Sequence, residues 1–300
     1  MRFSKGYYQA FAAYFIWGIF PIYWKFLKHV PASEILSHRI LWSFVFVGIL
    51  VKLLSKNSIL HLLDLLKNNL KWIVLLAVLI ASNWVIYVYA VNANQILQGS
   101  LAYFMTPLLN IALGAWLFKE KISKGMRWAA SIAGLGVFVL VVSGNQFPWI
   151  ALTLATTFSF YGVVKKRIPI GGLESSFLEN FVMFFPALVA ALVLRTETAP
   201  SLNNLDWALL LGSGIVTATP ILLFSLSARS IPFNHMGILQ FLAPSLQFLI
   251  GYFVYSESVS PAKITAFILV WTGVALYIKD IYKKSLKYYQ IKTQHRLVNR

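Results

Sequence analysis

Apolar runs of roughly 20 residues, parted by short polar links, follow one another along the whole chain. Ten can be drawn, at 6–24, 33–54, 71–91, 97–118, 124–143, 148–165, 174–194, 206–227, 233–255 and 261–281. At 1.5 Å of rise per residue such a run, wound as a helix, matches the hydrocarbon thickness of a bilayer. The links leave no room for a soluble domain. The pattern predicts an all-α membrane protein of ten transmembrane helices. Arg2 and Lys5 precede the first run, as in a signal peptide. Its length and the absence of a small-residue cleavage site after it favour a retained helix.

The pattern also repeats. Shifted by 137 positions (244 − 107 = 137), residues 107–136 fall on 244–273 without a gap. Pro107 then meets Pro244, Gly114 meets Gly251, Glu120 meets Glu257, Ser123 meets Ser260 and Gly136 meets Gly273. Five runs per half is an odd number, which turns the second half over in the membrane. Residues 1–145 and 146–281 are therefore expected to be inverted repeats, followed by a basic tail at 282–300. Repeats of this kind place a solute site at their seam and expose it to each side in turn.

Composition fits. The chain is 59% hydrophobic and 12% charged, more apolar surface than a soluble domain of 300 residues could hide. Its net charge of +17 would suit nucleic acid if it lay on one soluble face, but the charges sit between apolar runs. With both termini in the cytoplasm, all but Lys25, Lys28, Arg39, Arg195 and Lys263 of the 26 Lys and Arg residues fall on the inner side, including the cluster Lys165, Lys166 and Arg167. That asymmetry is the positive-inside pattern, so no nucleic-acid partner is expected. Membrane lipids are expected partners; the tail suits anionic lipid headgroups and equally suits water. Cysteine is absent, which removes disulfides, a thiolate nucleophile and Cys-based metal sites. Neither H-E-x-x-H, G-x-S-x-G nor a Walker phosphate loop occurs. No enzyme activity, metal or cofactor is expected, and uphill movement would draw on an ion gradient or a separate subunit.

Polar residues inside the runs are the candidates for chemistry. Proline withholds an N–H and disrupts the bond to the carbonyl four residues back, so Pro107 and Pro244 free the carbonyls of Tyr103 and Gln240. Gly99, Tyr103, Thr106 and Asn110 share one face of the fourth run; Gln240, Ala243 and Gln247 share the matching face of the ninth. Asn83 and Tyr87, with Trp84 beside them and Asn94 beyond, mark the third run; Ser213, Thr217 and Pro220 mark the eighth. Trp17 belongs to the aromatic end of the first. Asn83, Tyr87, Tyr103, Asn110, Gln240, Gln247 and Trp17 are the expected substrate-binding residues. Interhelical hydrogen bonding is the competing reading for the amides. Intramembrane ionisable groups are functional candidates by default: Lys25, His38, Arg39 and Glu179 are candidates for ion coupling or gating, with a proton as the coupling ion. Against this stand interfacial anchoring and structural ion pairing. Glu120 and Glu257 read as structural, each just before a serine that suits a helix N-cap.

The stretches Ala12–Lys25 (AAYFIWGIFPIYWK), Pro31–Ser43 (PASEILSHRILWS) and Asn83–Ser123 (NWVIYVYAVNANQILQGSLAYFMTPLLNIALGAWLFKEKIS) resemble the RarD-type permeases of the EamA group in the drug/metabolite transporter superfamily. The resemblance covers nearly the whole chain, with a more divergent second half. It implies a ten-helix permease of the bacterial inner membrane, moving a small organic metabolite or drug-like compound through a cavity lined mainly by the first, third and fourth helices of each half. A flippase-like, lipid-handling protein is the alternative.

Overall fold

The structure, a computed structural model, describes residues 4–55, 59–93, 95–144, 147–198, 202–256 and 259–298. Among the described residues there is no strand. The helices are α1 (Lys5–Phe26), α2 (Ala32–Leu54), α3 (Ile59–Asn92), α4 (Ile96–Phe118), α5 (Lys124–Ser143), α6 (Trp149–Arg167), α7 (Gly172–Thr198), α8 (Asn204–Ala228), α9 (Phe233–Gln240), α10 (Leu242–Leu249), a wider π-helical turn (Ile250–Val254) and α11 (Pro261–Val298). Every expected run falls on helix. Among the described residues eight stretches are long and apolar enough to cross a membrane. The runs on α1 and α6 fall outside that group; Tyr7, Tyr8 and Gln9 dilute one, and Lys165, Lys166 and Arg167 the other. Glu257, Asn94 and the side chains of the tail from Asp280 onward lie outside the described residues.

Two elements depart from the sequence pattern. Helix α3 starts well before residue 71. Polar Asp64, Lys67, Asn68 and Asn69 end the apolar run but not the helix, which kinks at Asn69 (φ −126°, ψ 19°). The ninth run is not one helix. It stops at Gln240, restarts at Leu242 and ends in the π-helical turn. Pro244 explains the break: it has no N–H for the Gln240 carbonyl, and the i→i−4 pattern resumes with Ser245 N–H donating to Phe241 O at 3.3 Å. Pro107 does no such thing; α4 runs through it unbroken.

Local chemistry sets several helix starts. The Ser123 side chain accepts from Met126 N at 3.1 Å to open α5. At α8, Asn203 and Asp206 form a reciprocal capping box, both bonds 3.0 Å.

The helices pair in matched sets. α4 packs on α6, and α1 on α10; α3 packs on α6, and α1 on α8; α2 packs on α8, and α3 on α7. Three further pairings, α2 with α7, α4 with α9 and α5 with α11, map onto themselves when the halves are exchanged. Between α5 and α11 the backbones nearly touch. A Cβ added to Gly136 would lie 2.9 Å from Ala266 O, and one added to Gly273 would lie 2.6 Å from Ala129 O. Small residues at such crossings give membrane helices their close packing. At the centre, Tyr14, Tyr161, Phe224 and Phe233 are fully buried. Around the outside large apolar side chains stand exposed, Trp116, Phe147 and Phe253 among them, as in a bundle solvated by lipid.

Candidate functional site

A cavity of about 390 Å³ lies in one end of the bundle. Its walls come from the C-terminal part of α1 (Trp17, Phe20, Trp24), the start of α2 (Ile35, Arg39), the second half of α3 (Asn83, Trp84, Tyr87) and the first half of α4 (Gly99, Tyr103, Thr106). Phe158 of α6, Ile221 of α8 and the broken helix (Gln240, Ala243, Gln247) complete it. Proline breakage matters here because α9 ends and α10 begins on this wall. Most of the lining is aromatic or aliphatic, with a few convergent polar groups, the make-up of a small-molecule site.

The structure distributes the expected residues unevenly. Tyr87 and Tyr103 line the cavity with rings 6.4 Å apart and nearly perpendicular, at 74°. Asn83 lines it too, but its amide is held from behind, donating to Leu154 O at 2.7 Å and Thr157 Oγ1 at 2.9 Å. Gln247 donates to Trp17 O at 3.0 Å, tying α10 to α1 across the wall. Gln240 faces the cavity, and Asn110 supports it: the Asn110 amide donates to Gln240 Oε1 at 2.6 Å. Asn110 itself is fully buried and outside the lining, so it joins α4 to α9 rather than meeting the cavity.

Arg39 is the charged member of the lining. Its Nε donates to Thr217 Oγ1 at 2.9 Å, which gives the polar face of α8 its use. The guanidinium lies 4.9 Å from the Trp24 ring and 5.0 Å from the Trp84 ring, within cation–π range of both. The other three expected ionisable residues lie outside this lining. Lys25 stacks on Tyr255 with its Nζ 3.3 Å from the ring. His38 Nδ1 accepts from Trp42 Nε1 at 3.2 Å, and its ring meets Trp207 edge-on.

Glu179 is buried with a partner that the sequence pattern misassigned. Lys165, counted above among the inner loop charges, is fully buried, and its Nζ lies 3.1 Å from Glu179 Oε2. Tyr161 donates to Glu179 Oε1 at 3.0 Å, and Lys165 donates to Ser175 Oγ at 2.9 Å and Ser176 Oγ at 3.2 Å. Burial of the lysine is tolerable because carboxylate and hydroxyls replace its water. Tyr161, Phe158, Phe224, Trp17 and Tyr14 stack into an aromatic layer next to this cluster, and Tyr14, Trp17 and Phe158 are also cavity lining. Only the i, i+4 spacing from Tyr161 to Lys165 hints at this in the sequence.

The other end of the bundle is tied together by polar bonds between helices. Glu120 does not cap its own following helix. Its carboxylate spans to the start of α9, accepting from Phe233 N at 2.7 Å and Asn234 N at 2.8 Å, where an acid also suits the helix dipole. Lys166 lies 3.6 Å from Glu120 and donates to the carbonyls of Ala228 (3.2 Å) and Ile231 (2.7 Å). Arg167 donates to Leu117 O at 3.1 Å, Phe118 meets Phe233 edge-on, and the Tyr7 hydroxyl is hydrogen-bonded to His235 Nδ1 at 2.6 Å.

Comparison with known proteins agrees with this architecture. The sequence pattern of the EamA-like transporter family matches residues 4–142 and again 148–279. The uncharacterized transporter YojE of Bacillus subtilis (strain 168) is 37% identical, over 91% of this chain and 93% of that one. The protein RarD of Escherichia coli (strain K12) is 34% identical, over 92% of this chain and 94% of its own. A solved crystal structure with 18% identity superposes with a TM-score of 0.71, covering 91% of this chain and 97% of that one, a likeness of fold.

Proposed function

The chain belongs to the EamA-like transporter family, as a RarD-type member, and on that premise we propose that it is a secondary permease moving a small organic solute by alternating access. It is a multi-pass membrane transporter by family and by its apolar helices. The finer reading is ten spanning helices in two inverted halves, 1–145 and 146–281, with both termini in the cytoplasm of a bacterial cell and the bundle in its inner membrane.

One observation carries this reading: a cavity lined from both the first five and the last five runs occupies one end of the bundle, while Glu120 ties helices together at the other. The matched helix pairings support the repeat, since the main packings named above are either their own mirror or have a counterpart. Under the proposed orientation the cavity end faces outward, and the Glu120 cap closes the cytoplasmic side. Rocking one half against the other would exchange the two. Glu179 is the proposed proton carrier for coupling, because it is the buried carboxylate held beside the aromatic floor. Lys25, stacked on the Tyr255 ring, is the proposed gate.

The test is flux. Purified protein in liposomes, given a mixture of small metabolites and assayed by mass spectrometry, is expected to move at least one solute that protein-free liposomes retain, and Gln247→Leu to slow it. Movement of fluorescent lipid between leaflets, with no protein-dependent solute flux, would overturn the permease in favour of a lipid-handling protein.

A further inference from the structure

We infer that the cavity selects organic anions, holding a carboxylate or comparable acidic group at Arg39 and the apolar body of the solute against Trp24, Trp84 and Phe158. This names a substrate class for the permease site and rests on that reading. The argument begins with a charge that lacks a counter-charge. Arg39 lines the cavity, and the lining contains no acidic residue. Among the described residues no carboxylate comes within salt-bridge distance of it; Asp206 pairs with His29, Glu179 with Lys165 and Glu120 with Lys166. A cation inside a membrane bundle is costly without a partner. Lys165 shows how this chain meets that cost where the need is structural, with a carboxylate and two hydroxyls.

Arg39 is held in a different way. Nε is fixed by Thr217 at 2.9 Å. The Trp24 and Trp84 rings lie 4.9 and 5.0 Å from the guanidinium carbon. Aromatic faces stabilise a cation without neutralising it. Among the described residues the terminal nitrogens make no hydrogen bond. What remains is the forked edge of the guanidinium, the edge that binds a carboxylate through two parallel bonds. Arg39 is thus anchored at one nitrogen and flanked by two indole rings, with its terminal nitrogens unspent. The neighbouring polar lining, Tyr87, Tyr103 and Gln240, adds no negative charge. A cavity of about 390 Å³ lies in the range for small organic ligands and accommodates one ring with a short acidic arm.

The experiment uses full-length protein in nanodiscs and three probes of one shape: 3-phenylpropionate, its amide, and 3-phenylpropylamine. Binding is read by calorimetry. The carboxylate is expected to bind about tenfold or more tighter than amide or amine. In Arg39→Gln the three should fall within about threefold of one another, because charge selectivity resides in that side chain. Arg39→Lys keeps the charge but loses the fork; it should retain the preference at lower affinity, which guards against a fold defect in the glutamine variant. Trp84→Leu should weaken all three probes and preserve their order. Equal or better binding of the amide or amine by the unaltered protein overturns the proposal, as does a preference that survives Arg39→Gln. Failure of all three probes to bind also overturns it. Flux of other solutes in the liposome assay would then leave the permease reading standing, whereas absence of any flux would remove that reading as well.

Discussion

Gly273 lies against Ala129, close enough that an added Cβ would come within 2.6 Å of the Ala129 carbonyl oxygen. The same contact is present a second time, with Gly136 against Ala266. The partners are related by the shift that relates the halves (266 − 129 = 137 and 273 − 136 = 137). A contact written twice at one spacing is a physical trace of duplication, and it holds α5 to α11 by backbone proximity.

Enlarging either glycine should therefore push these helices apart. Gly273→Val and Gly136→Val are each expected to cost about 1–3 kcal/mol, the usual penalty for forcing methyl groups into a packed contact. Leu135→Val, at an exposed position on α5, should change little. Thermal unfolding in detergent, followed by helical circular dichroism, checks all three.

The Lys165–Glu179 pair predicts a non-additive result. Removing one partner leaves a buried charge alone, so Lys165→Met or Glu179→Leu should each destabilise by about 3–5 kcal/mol. The double replacement should recover most of that loss, since two apolar side chains bury no charge. A double-mutant cycle measured by chemical unfolding tests this. The conservative Glu179→Gln separates the proposed coupling role from the structural one: solute flux should lose its dependence on an imposed pH gradient while downhill flux persists.

Much of the architecture was legible from the chain. Long apolar runs have few alternatives in lipid, because helices satisfy every backbone bond within the segment. The site was legible only in part, for reasons that particular residues make plain. Pro107 and Pro244 look alike in sequence, yet only the second breaks its helix, since neighbouring helices decide whether a kink is absorbed. Lys165 stands in a run with Lys166 and Arg167 that reads as a helix end; its burial depends on Glu179 and Ser175, on another helix. Arg39, an ionisable group inside an apolar run, reads from the chain as a candidate for coupling or gating. Its place in the cavity is set by Trp24, Trp84 and Thr217, from three other helices, and no spacing within α2 encodes them.

Glu120 offers a direct handle on the proposed closed end. Glu120→Ala removes two charge-assisted bonds to the start of α9 and should cost about 0.5–2 kcal/mol, the range for a lost helix cap. It should also loosen that end. A cysteine at Met236, fully buried in the first turn of α9, is expected to react faster with a small thiol reagent in the Glu120→Ala background than beside an intact Glu120. Glu120→Asp, which keeps the charge but shortens the reach, should fall between.

The alternating cavity is tested most directly by asking from which sides one of its residues can be reached. The protein has no cysteine of its own, so Gln247→Cys introduces a single thiol on the cavity wall. Modification by a membrane-impermeant maleimide is followed in right-side-out and in inside-out vesicles. Reaction in both orientations, at different rates, is the result expected of a site that opens in turn to each face. Reaction from one face alone under every condition, or from neither, would contradict it.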